Sequence, residues 1–152
     1  MNEYEFACLC TYVRAMADEV GLRDWTFTIM REPAKGDDLG AEITVTYGRR
    51  HANVSVCRDW NSLPDHERRH IVVHELLHCF TNAPHMRTEV MLEDLVGAAV
   101  WPVVEASLRM DMEHVTDAIA SALAKHLPLP EWIVGDDMPI GEPWVGPVER
   151  AT

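Results

Sequence analysis

The chain has 152 residues and a formal net charge of −12, with 25 acidic against 13 basic side chains. That length suits one domain with a sizeable core, and 47% hydrophobic residues is ordinary for a globular fold. The acids are spread along the chain, which excludes tight binding to a nucleic-acid backbone or to an anionic membrane surface.

Residues 3–20 place Phe6, Leu9, Cys10, Val13, Ala17 and Val20 at threes and fours, which predicts a helix stopped at Gly21. Trp25–Ile29 alternates apolar and polar residues and reads as a strand. Pro33–Gly40 is rich in turn formers. Ala41–Tyr47 alternates again, Gly48-Arg49-Arg50 turns the chain, and His51–Cys57 gives a third strand with Ala52, Val54 and Val56 on one face. The short link predicts that these last two strands are antiparallel.

A helix is expected over 65–80, capped by Ser62 or Asp65, with Pro64 in its first turn and Asn82-Ala-Pro84 ending it. A helical pattern resumes from Thr88 to Val100, and Pro102 should break or kink it. A last pattern runs over about 103–126, with Val104, Leu108, Met112, Val115, Ile119, Ala122, Leu123 and Leu127 as its apolar stripe. Prolines 128, 130, 139, 143 and 147 then crowd the end of the chain beside Trp132 and Trp144. The expected organisation is an α+β domain over 1–127 and a Pro-rich C-terminal tail over 128–152.

No apolar run reaches the about 18 residues of a membrane span; the longest candidate, 95–104, contains Pro102. The N-terminus, MNEYEFACLC, has no basic segment followed by an apolar run, so no export signal is expected. Cys8, Cys10, Cys57 and Cys79 then read as reduced thiols of a cytoplasmic protein, with Cys79 buried. Nothing in the sequence bears on oligomeric state.

The stretch His70–Cys79, HIVVHELLHC, carries H-E-x-x-H at His74, Glu75 and His78. Residues four apart on a helix lie one turn above each other on one face. His74 and His78 can therefore direct ring nitrogens at one Zn²⁺, and Glu75, on the flank, is placed to act on a water held by that metal. A catalytic zinc site needs a third protein ligand and one open position. The pattern H-E-x-x-H-x-x-G-x-x-H would need Gly at 81 and His at 84; Thr81 and Pro84 stand there, and His85 is one residue late.

A carboxylate from a later helix is the other arrangement, with Glu89, Glu93, Asp94, Glu105, Glu113 and Asp117 as candidates. Glu113 begins E-x-x-x-D, so that its carboxylate and that of Asp117 lie one turn apart. Glu113 can ligate zinc while Asp117 accepts the other ring N–H of a ligating histidine. Glu105 is the main rival, and a solvated acidic stripe is the ordinary alternative for both residues.

HELLH followed by a helical E-x-x-x-D resembles the gluzincin group of zinc metallopeptidases. The short frame is similar to minimal gluzincins such as the small HExxH proteins encoded by phages and prophages. Glu113-His-Val-Thr-Asp-Ala-Ile-Ala is similar to a run in those phage proteins. The resemblance covers about residues 1–127. It implies a zincin-like fold: an N-terminal helix, a sheet of about three strands, the HExxH helix, and C-terminal helices carrying the third ligand. It also implies a zinc metalloendopeptidase with one Zn²⁺ held by His74, His78 and Glu113, Glu75 as general base, and Asp117 behind a histidine. A peptide or protein substrate would lie along an edge strand, 41–47 or 51–57. The second oxyanion donor is open among Tyr47, His85, His114 and His126.

His66 and His70 continue the i+4 ladder, but a 3.6-residue helix drifts by about 40° at each step, so both are expected as exposed or supporting residues. Trp25, Trp60 and Trp101 read as packing residues. The alternative function is a non-catalytic zinc-binding scaffold or partner-binding module, which predicts a fourth protein ligand, with His85 nearest to hand. An accidental motif predicts no bound metal.

Overall fold

The computed structural model describes residues 1–36, 40–46 and 48–130. The elements run α1 (Glu3–Glu19), β1 (Thr26–Ile29), β2 (Ala41–Thr46), β3 (His51–Val56), a short 3-10 turn (Trp60–Ser62), α2 (Asp65–Val96) and α3 (Trp101–Ala124). The class is α+β, as the sequence pattern predicts; the structure has three helices and a small mixed sheet. The expected tail lies outside the described residues beyond Pro130, as does Tyr47.

Helix α1 opens on a reciprocal cap. Asn2 Oδ1 accepts from the Glu5 backbone N–H at 2.9 Å, and Glu5 Oε2 accepts from the Asn2 N–H at 2.7 Å. Leu9, Tyr12, Val13, Met16 and Ala17 form its buried stripe. Gly21, at φ +89°, lets the chain leave the helix at a conformation that costs other residues strain.

The sheet order is β1-β3-β2, with β1 parallel and β2 antiparallel to β3. β3 is thus central, and the idea that 51–57 serves as a docking edge is overturned. The backbone of Val54 turns toward β1, where its carbonyl accepts from Met30. Its alternating neighbours His51, Asn53 and Ser55 turn toward Thr46, Thr44 and Glu42. The backbone groups of Ile43 and Val45 therefore face the free edge of β2.

Two expectations about the helices are corrected. The motif helix does not stop at 82–84; α2 runs 32 residues with Pro84 inside it. Pro84 is exposed, and a single missing donor does not outweigh the packing of α2 along α3. The break falls at Gly97, at φ +76°, and Pro102 lies in the first turn of α3, where its lacking N–H costs nothing. Similarly, Pro64 is the N-cap of α2 and Asp65 its first residue, paired with Arg68.

The expected stripe of α3 holds at Val104, Leu108 and Met112, which are half-buried, and is corrected in the second half of the helix. Val115, Ile119 and Leu123 are exposed at 52%, 40% and 40%, whereas Thr116, Ala120 and Ala124 are buried. Small side chains at i, i+4 and i+8 let α3 approach α2 closely, and the larger apolar residues are turned out. The core proper lies between α1, the sheet and the Val72, Val73, Leu76, Leu77 and Cys79 face of α2, with Trp60 fully buried beside it. Past Cys79 the α2–α3 hairpin continues alone: from Phe80 to Val115 no residue is buried.

Candidate metal centre

Because α2 packs its apolar face on the sheet, the opposite stripe with His70, His74 and His78 faces α3. On α3 the residues flanking the Thr116–Ala120 seam, Glu113 and Asp117, meet it. Glu113 Oε2 lies 3.3 Å from His74 Nε2 and 3.7 Å from His78 Nε2. The ligand atoms of His74, His78 and Glu113 all lie within 4.8 Å of one another. Atoms bound to one tetrahedral zinc stand about 3.3–3.4 Å apart, so this donor set fits the ion. Burial, the largest cause, holds the His78 imidazolium below its ordinary range, opposed by Glu113.

Glu75 is mostly buried on the flank of this group and is not one of the convergent donors. Its carboxyl is pushed up to about 7, by burial first and by the Glu113 charge second, while a hydrogen bond from the Ile43 backbone pulls the other way. That contact ties the base to the free edge of β2. Beside Glu113 a groove of about 510 Å³ runs along α3 past Glu105, Arg109, Met110 and His114. A larger cavity of about 680 Å³ along α1 and β1 is remote from these groups.

Of the other candidates, Glu105 is held by Arg109 at 2.6 Å and does not join the donors. His85 Nε2 lies 3.0 Å from Glu89 Oε1 instead, so among the described residues no fourth protein ligand completes the His74–His78–Glu113 group. His114 and His126 are exposed, as is His66. Cys79 is buried, its thiol pushed up to about 12 by burial and then by Glu75.

Asp117 sits where a carboxylate beside a ligating histidine belongs, with a difference. Its Oδ1 is 3.8 Å from His74 Nδ1 but 3.0 Å from His70 Nε2. His70 is the residue that the helical-drift argument set aside. It stands in a second group of possible metal ligands with His74 and Asp117. The signal that would have found it is the i+4 ladder of histidines itself, opposite two acids also four apart.

Neither family models, nor curated proteins, nor solved structures gave a match to the chain. No helix among the described residues is long and apolar enough to cross a membrane.

Proposed function

We propose that the chain is a zinc-dependent metallopeptidase of minimal gluzincin type and zincin-like fold, resembling the small HExxH proteins of phages and prophages and acting in the cytoplasm. The single observation that carries this reading is the convergence of His74, His78 and Glu113 beside the buried carboxyl of Glu75. His74, His78 and Glu113 would hold one Zn²⁺. When bound, zinc supplies Lewis acidity to a substrate carbonyl and to water.

Glu75 takes the proton of the attacking water and delivers it to the leaving amine. Its place on the flank of the donor group, one residue from His74, is what suits it to both halves of that transfer. The free edge of β2 offers the Val45 backbone groups and the Ile43 carbonyl to an extended peptide by strand addition, the Ile43 N–H being engaged by Glu75. The substrate is accordingly a peptide or an unstructured protein segment. The scaffold alternative predicts a fourth protein ligand, and among the described residues the group holds His74, His78 and Glu113 alone.

The test is Glu75→Gln. Zinc content should be unchanged while cleavage of an unstructured peptide library, followed by mass spectrometry, falls by at least about 100-fold. A rate equal to wild type ends the proposal.

A further inference from the structure

We propose that His70, His74 and Asp117 form a second divalent-cation site, one helical turn from the first and sharing His74 with it. The relationship is a translation. Because α2 and α3 run antiparallel across their seam, one turn back on α2 meets one turn forward on α3. The set His74, His78 and Glu113 thus becomes His70, His74 and Asp117, with the same two imidazoles four apart and the same single carboxylate. The ligand atoms of this second set also lie within 4.8 Å of one another. His70 Nε2 and Asp117 Oδ1 are 3.0 Å apart, and His74 Nδ1 is 3.8 Å from the same oxygen.

Both ring nitrogens of His74 therefore lie near carboxylates, Nε2 3.3 Å from Glu113 and Nδ1 3.8 Å from Asp117. One imidazole holds two cations at once only as imidazolate, after its ring proton has left to solvent. The second ion must displace that proton and approach a neighbouring dication, so it binds more weakly than the first. Two imidazoles and a carboxylate select zinc or another late first-row divalent ion over calcium or magnesium, which take oxygen ligands. Asp117 is 61% exposed, which gives the ion a route in from solvent.

This inference rests on the first site only through the shared His74, and the two separate by stoichiometry. Zinc uptake by the full chain would be titrated against a chromophoric chelator in a weakly buffered solution. Wild type should take up two equivalents, the second at least about tenfold weaker and accompanied by about one released proton. His70→Ala should take up one equivalent at the tight affinity, and Glu113→Ala should lose the tight equivalent. A single equivalent in wild type overturns the second site, as do two equivalents in His70→Ala. Full tight uptake by Glu113→Ala would instead count against the first site alone. If His70→Ala does not fold, Asp117→Asn takes its place, with one tight equivalent expected and two equivalents overturning the site.

Discussion

Glu113 Oε2 lies 3.3 Å from His74 Nε2, although 39 residues separate the two in sequence. The distance is set by the seam in which Thr116, Ala120 and Ala124 let α3 lie close on α2. A carboxylate on a helix packed through leucines would stand further off. The candidate metal centre is thus a product of helix packing, and each element of that packing can be tested.

Glu113→Ala should lower zinc affinity by more than the about 10–100-fold usual for residues outside the ligand shell. Glu105→Ala should leave it unchanged, because the Glu105 carboxylate is engaged by Arg109 and lies outside the donor group. Chelator competition on both variants checks the pair. The reverse order of effects would reassign the third ligand.

Ala120→Leu should push α3 away from α2. Ala120 is fully buried, so overpacking there should cost about 1–3 kcal/mol of stability and weaken zinc binding with it. Ile119→Ala, one residue away but 40% exposed, should change stability by no more than about 0.5 kcal/mol. Urea unfolding reads both. Equal losses would show that the seam is drawn through the wrong residues.

The zinc-free protein should lose stability as pH rises. The Glu75 carboxyl goes from an ordinary value of 4.5 to about 7 on folding, so between those values the native state holds a proton that the unfolded chain releases. The associated stability is complete below about pH 4.5 and is lost as pH rises through about 7. Between pH 5 and pH 8, wild type in chelator should lose about 2–3 kcal/mol more than Glu75→Gln. Parallel pH profiles in the two proteins would contradict the burial of this carboxyl.

Pro84→Ala should stabilise the α2–α3 hairpin. Pro84 is exposed inside α2 and leaves the Phe80 carbonyl without its helical donor. Restoring the N–H should raise stability by about 1–3 kcal/mol in urea unfolding. A neutral or destabilising result would mean that the helix is bent around the proline and uses the bend.

Local pattern made several features legible. The i, i+4 spacing of His74 and His78 needs only the geometry of one helix, and so does the pairing of Glu113 with Asp117. The alternation in 41–46 and 51–56 gave two of the strands and their antiparallel partnership, since the link between them is too short for anything else. Pro84 misled because a proline's local cost is about 3 kcal/mol, while the neighbouring helix that outweighs it is invisible in a window of twenty residues. The second half of the α3 stripe, from Val115 on, misled for a related reason: periodicity marks two candidate faces there, and the smaller side chains took the interface.

The sequence by itself determined which groups could serve as ligands and base, because those choices rest on side-chain chemistry and on spacing within one helix. Only the tertiary structure decided that Glu113 rather than Glu105 meets the histidines, that β2 rather than β3 carries the free edge, and that His70 shares Asp117. Each of those depends on which residues of two distant segments pack together. Close approach of helices is governed by the smallest side chains on a face, a property that no count of hydrophobic residues along the chain records.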